Sequence, residues 1–436
     1  MTFLYILLAI LVLMVMVTIH EFGHYVAGKL LGFEITEFSI GFGPSIFSRK
    51  LKSGEIFSIR IIPLGGYCAF DGEDTDSTNE RSFLKQKPWK RLIVLFNGAF
   101  FNFISAILFC FILLVSVGYD VPQVYSVDKV VKINGVYEVL DGGAISSTEY
   151  EFEDEDKIIK INGNVITYQD KTYESISISQ LSSVLSDDNY NLDEYTLTLK
   201  NGEAEKILIS YVSSNSNTFG IENSLNKDDV ILAVNGVNID FIKDNTLNAL
   251  ISNASKTDNN LTLTVRRNGE KKDVVVNLFE SGLKDDKGLY TKAIGLKSTA
   301  YVFNFGEALI RCVPYTFGFS WKVLSALGGI FTGAVGLNDI GGPIYTISTI
   351  ANFSQQSISY FLTLLPLIAA NLAVFNWLPI PALDGSKMVL TTIEWIRKKP
   401  LFSQKTENLI HNIGFFLLLG LVLLADLFHI FAPLFN

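Results

Sequence analysis

Cysteine is scarce. The 436-residue chain has three, Cys68, Cys110 and Cys312, and none falls in its polar middle, which excludes a disulfide framework there. A basic excess is also missing. Lys and Arg number 35 against 44 Asp and Glu, for a net charge of −9, and this leaves no case for nucleic-acid binding. Histidine occurs only four times. The N-terminus has neither a basic n-region nor a small-residue cleavage site. Its first apolar run is therefore expected to be a retained transmembrane helix and not a removed signal peptide.

What is abundant is apolar sequence. Hydrophobic residues make up 49% of the chain and the mean hydropathy is +0.32. Four runs are long and apolar enough to cross a bilayer: residues 2–19, 92–117, about 361–378 and about 413–430. A weaker run, 308–330, contains Arg311, Pro314 and Lys322 and reads as an interfacial helix. Basic residues cluster between the first two runs, from Lys29 to Arg91, and again after the third, from Arg397 to Lys405. The positive-inside rule makes both loops cytoplasmic. Both termini and residues 121–300 are then extracytoplasmic. That middle segment has 28 acidic and 18 basic residues, enough to account for the whole net charge.

Residues 121–300 are rich in Ser, Asn and Asp, with short β-type runs bounded by Asn-Gly pairs. An internal repeat stands out. Residues 156–165 read DKIIKINGNV and residues 229–238 read DVILAVNGVN. The string resembles the strand and turn of the PDZ domain, with Glu155 or Asp228 where a Gly is usual before the Asp. Two tandem PDZ-like domains fit the length, and PDZ domains bind extended peptides by strand addition.

The chemistry begins where the first run ends, in VTIHEFGHYVAGK. Ionisable residues at membrane depth are costly and functional by default. His20 and His24 are four residues apart, so on a helix both imidazoles lie on one face and can reach one metal ion. Zinc suits such ligands, and its catalytic sites use three protein ligands plus water. Glu21 is placed to take a proton from that water. The third ligand is expected in NWLPIPALDGS, residues 376–386, where Pro379 and Pro381 break the third run and Asp384 follows. The topology puts Asp384 and the two histidines at the same cytoplasmic side. His411 and His429 read as ordinary structural residues. Two rival readings use the same residues. One is a membrane metalloprotease with a Glu as third ligand, and the other is a non-enzymatic scaffold presenting peptide-binding domains.

HEFGH together with NWLPIPALDG resembles the site-2 protease family of intramembrane zinc metalloproteases. Further stretches resemble its bacterial regulator-of-sigma-E protease group: EFSIGFG (37–43), IPLGGY (62–67), FNGAFFNF (96–103) and GGPI (341–344). This chain departs from the family where Gly98 is followed by Ala99 and not Pro, and where Ser386 follows Gly385. The resemblance implies a polytopic α-helical membrane protein with four transmembrane helices and a membrane-associated β-hairpin formed from residues 35–40 and 56–62. The expected domains are 1–120 (first part of the membrane core), 121–215 and 216–300 (PDZ-like), 301–360 (interfacial helical connector) and 361–436 (second part of the core). It implies zinc on His20, His24 and Asp384, Glu21 as general base, and Asn376 beside the substrate or developing oxyanion. The implied substrates are single-span membrane proteins, anti-sigma factors or remnant signal peptides, cut in the bacterial cytoplasmic membrane after a first extracytoplasmic cleavage. The lipid bilayer and peptide ligands of the PDZ-like domains complete the expected partners.

Overall fold

The computed structural model describes residues 2–73, 77–127, 130–133, 136–139, 157–169, 171–177, 180, 184, 194–201, 204–212, 225–240, 243, 245–254, 260–277, 279–284, 290–293, 296–333 and 341–431. Glu155 and Asp156, singled out in the sequence, lie outside these residues. The chain forms two compact units, one of residues 1–117 with 303–436 and one of residues 118–302.

The first unit opens with α1 (Thr2–Leu31), which carries the uncharged run through the histidines without a break. Strands β1 (Ile35–Lys50) and β2 (Ile56–Phe70) follow, and then α2 (Pro88–Ser116), which starts on a proline where the missing N–H costs nothing. The strands are longer than the sequence suggests because each bends and keeps pairing. Residues 37–40 sit beside both 66–69 and 56–59, and 45–50 pair with 56–60. Four segments result, with 66–70 at one edge of the sheet. Gly41, Gly43 and Gly65 supply the bends with φ of 89°, 83° and 132°. Phe33, Phe70 and Phe83 form a ring triangle with centroids 5.4 to 5.7 Å apart, tying the sheet to the end of α1.

In the second unit, the described strands from β3 (Pro122–Val127) to β18 (Leu296–Ala300) form two larger sheets and a two-stranded one, and the described residues include a short helix, α3 (Leu247–Ala254). Both members of the repeat are hairpins. Asn162-Gly163 turns β6 (Lys157–Ile161) into β7 (Asn164–Tyr168), and Asn235-Gly236 turns β12 (Val230–Val234) into β13 (Val237–Asn238). All four turn residues have positive φ, 47° to 76°, as tight hairpin turns of this kind need. One boundary differs from expectation. Strand β3 lies inside 121–215, yet it pairs with β18 and β12 in the second sheet. The first sheet is therefore inserted in the chain between two strands of the second. Asp229 of the second repeat is buried and holds Arg267 through two hydrogen bonds of 2.8 and 2.7 Å.

The chain returns to the first unit with α4 (Phe305–Thr332), capped by the Asn304 side chain on the Glu307 N–H and ended by left-handed Gly333. Helices α5 (Pro343–Gln356), α6 (Ile358–Trp377), α7 (Asp384–Arg397) and α8 (Gln404–Phe431) follow. Helix α2 is central and packs against α1, α4, α6 and α7. Among the described residues four helices are long and apolar enough to cross a membrane: α1, α2, α6 and α8. The connector is the helix pair α4 and α5. Its α4 packs along α2 and α6, with Phe317 5.1 Å from Phe103.

Candidate metal centre

Helix α1 presents His20 and His24 one turn apart, with their Nε2 atoms 3.3 Å from each other and their rings edge to face. Both are buried. Room for them comes from α2. A Cβ on Gly98 would stand 2.3 Å from His24 Nε2 and 2.8 Å from His20 Cε1. A Cβ on Gly23 would stand 2.3 Å from the Asn97 carbonyl, so α1 and α2 touch backbone to backbone. His24 Nδ1 lies 2.9 Å from the Val94 carbonyl, which fixes the proton there and leaves the Nε2 lone pair facing inward. His20 Nδ1 lies 3.4 Å from the amide of buried Asn102, whose Oδ1 has no partner. Exchanging the O and N of that amide lets His20 Nδ1–H donate to Asn102 Oδ1.

Asp384 arrives from the other end of the chain. Helix α6 stops at Trp377 because Pro379 and Pro381 cannot continue it. The turn passes through Ala382 at φ 82°, and α7 begins at Asp384. Gly385 is needed next to it, because a Cβ there would lie 2.2 Å from the Leu378 carbonyl. Asp384 Oδ2 stands 3.0 Å from His20 Nε2 and 3.2 Å from His24 Nε2.

These three separations test the fit of a metal ion. Zinc with ligands at about 2.0 Å in tetrahedral geometry places ligand atoms about 3.3 Å apart. The observed edges are 3.0, 3.2 and 3.3 Å, and Asp384 Oδ2 is a buried acceptor that receives no hydrogen bond. Two imidazole nitrogens and a carboxylate oxygen form a donor set that suits zinc, and the residues fit the ion. Among the described residues this is the one cluster of histidine, cysteine and acidic groups able to hold a metal.

Glu21 stays out of the triangle. Its Oε2 accepts the backbone N–H of Cys68 at 3.0 Å, so edge segment 66–70 orients the carboxylate. Asn376 lines the same cavity of about 540 Å³, with its Nδ2 donating to the Leu372 carbonyl at 2.9 Å. The sequence reading missed the supporting groups. The Val94 carbonyl and the Cys68 N–H are backbone atoms and leave no mark in a sequence. Asn102 was visible only as a motif position.

Comparison with known proteins agrees with this chemistry. The description of Peptidase family M50 matches residues 8–421. The chain is 28% identical over 437 residues to a protein of Enterococcus faecalis described as the protease eep, covering 95% of this chain and 96% of the relative. It is 27% identical over 453 residues to the regulator of sigma E protease of Haemophilus influenzae, with 95% and 96% covered. It is 26% identical over 442 residues to a Vibrio cholerae protein described as a zinc metalloprotease, again with 95% and 96% covered. The chain belongs to peptidase family M50, the site-2 proteases, and is a zinc-dependent metalloprotease.

Proposed function

We propose that the chain is an intramembrane endopeptidase in which His20, His24 and Asp384 hold the zinc and Glu21 is the general base. The observation that carries this reading is the three-atom triangle on and beside apolar helices, with Glu21 next to it but outside it. When bound, the zinc supplies a Lewis acid that polarises a peptide carbonyl and acidifies water. Glu21 takes the proton of the attacking water and passes it to the leaving amine. The Cys68 N–H keeps its carboxylate oriented for both transfers. Asn376 donates to the carbonyl oxygen as negative charge develops there. Its present bond to the Leu372 carbonyl is an i to i−4 contact that a substrate oxygen can replace.

A helical substrate has its amides satisfied internally and must unwind before it is cut. Segment 66–70 is an edge of the four-segment sheet, and Tyr67, Cys68 and Phe70 line the cavity. A substrate strand added to this edge lies beside Glu21. The exposed Ile46, Phe47, Ile61 and Ile62 of the same sheet support its insertion into lipid.

The substrates on this reading are single-span proteins of the bacterial cytoplasmic membrane, already trimmed outside the cell. The relative named regulator of sigma E protease supports anti-sigma factors as one class. Remnant signal peptides are the second. The basic loops 29–91 and 397–405 support a cytoplasmic-side site. The acidic β-rich unit, with its two PDZ-like repeats, acts as a size filter. Deleting residues 125–295 then lets an untrimmed substrate be cut, and an active deletion protein that still refuses it overturns the filter. The catalytic reading is tested by Glu21→Gln with zinc retained and a labelled single-span substrate. Cleavage falls by at least ~10²-fold if a general base is lost, and undiminished cleavage sinks the proposal.

A further inference from the structure

We propose that His411, on the fourth apolar helix α8, is a positioning residue that holds the turn carrying Asp384. This rests on the reading of Asp384 as the third zinc ligand.

The turn is hard to hold. It contains two prolines, so residues 379 and 381 offer no N–H, and Ala382 sits at φ 82°, a conformation a side-chain-bearing residue avoids. Within the turn the Ile380 N–H reaches the Leu378 carbonyl and the Leu383 N–H reaches the Ile380 carbonyl. The Ala382 N–H instead points outward, to His411 Nδ1 at 3.3 Å. Ser386 Oγ, which donates to the Leu383 carbonyl, lies 3.5 Å from the same nitrogen. One helical turn further along α8, Gly414 meets Pro381 so closely that a Cβ would stand 2.3 Å from Pro381 Cβ and 2.9 Å from its carbonyl carbon. His411 and Gly414 thus clasp the two residues just ahead of Leu383 and Asp384. This gives a role to a histidine of α8 that takes no place in the ligand triangle. It also links the Ser386 departure to a residue 25 positions away.

The test uses the full-length protein in detergent. Zinc affinity is read by competition with a chelator, and kcat and KM are read on a single-span substrate. The variants are His411→Gln, His411→Asn, His411→Leu and Asp384→Asn. The Asn carbonyl oxygen, bonded to Cγ as Nδ1 is, takes the place of Nδ1, accepts the Ala382 N–H and keeps zinc affinity and kcat near wild type. Gln is polar but carries its carbonyl one carbon further out, and Gln and Leu lower zinc affinity by about tenfold, as loss of an outer-shell partner does, with a matching fall in kcat and an unchanged KM. Equal behaviour of Gln and Asn overturns the proposal, as does wild-type zinc affinity in both Gln and Leu. If Leu fails to fold, the Gln and Asn pair still decides. If Asp384→Asn keeps wild-type zinc affinity, the ligand assignment fails. If it loses zinc while every His411 variant binds normally, only the brace fails.

Discussion

Gly98 stands directly against His24, with no space between them for even a methyl group. The contact makes a position on α2 part of the metal centre although it contributes no ligand atom. Gly98→Ala is expected to raise helix propensity by up to about 1 kcal/mol in its own right. It will nonetheless displace the imidazoles and weaken zinc binding by tenfold or more. Chelator competition and thermal unfolding on the same sample check this. Normal zinc affinity in a stable Gly98→Ala protein contradicts the packing described above.

Asn102 is the partner that leaves His20 Nε2 free for a ligand role. Asn102→Leu fills similar volume but cannot accept the Nδ1 proton. Zinc affinity should fall ~10–100-fold, the range found for lost outer-shell partners. Asn102→Asp keeps an acceptor and should retain most of the affinity. The two dissociation constants, measured side by side, decide the point.

Glu55 pins the far end of the sheet to α1. Its buried carboxylate accepts from Lys29 Nζ at 2.7 Å, Tyr25 OH at 2.8 Å and Ser53 Oγ at 2.9 Å. Burial alone would raise its pKa, but these donors, Lys29 foremost, hold it at about 2. The folded pKa is below the unfolded one. The pin therefore contributes fully above the unfolded value near 4.5 and is lost as pH falls through about 2. Glu55→Gln should cost on the order of 2 kcal/mol at neutral pH. Its stability should vary less than wild type between those two pH values. Unfolding curves at several pH values provide the check.

Asp426 caps a helix from within the long apolar helix α8. It is buried and accepts the N–H groups of Ile344 and Tyr345 at 3.1 and 3.0 Å, at the start of α5. A Cβ on Gly342 would lie 2.4 Å from its Cγ, which gives the GGPI stretch a steric reason. Asp426→Ala should destabilise the protein by about 1 kcal/mol, the usual cost of a lost cap. It should also raise amide exchange in the first turn of α5, read by hydrogen–deuterium exchange.

Much of the site is legible in the sequence because its chemistry is local. His20 and His24 share a helix face by spacing alone, and Pro379 and Pro381 announce a broken span just before Asp384. Uncharged runs mark the four long apolar helices for the same reason. What stays hidden depends on long-range contact. The brace at His411 is invisible without knowing that α8 crosses the turn at Pro381. Strand β3 looks like the start of the first β module because sheet order is set by distant pairing with β18 and β12. The extra length of β1 and β2 follows from glycine bends that preserve pairing beyond Ile40 and Ile62.

The most direct test of the account is to map the bond that is cut. A single-span substrate with a pre-trimmed outer segment is incubated with the purified protein, and the product termini are read by mass spectrometry. The account predicts a cut inside the apolar segment by wild type, and no such product from Glu21→Gln carrying one zinc per chain. Cleavage confined to residues outside the apolar segment, or the same fragments from Glu21→Gln, contradicts it.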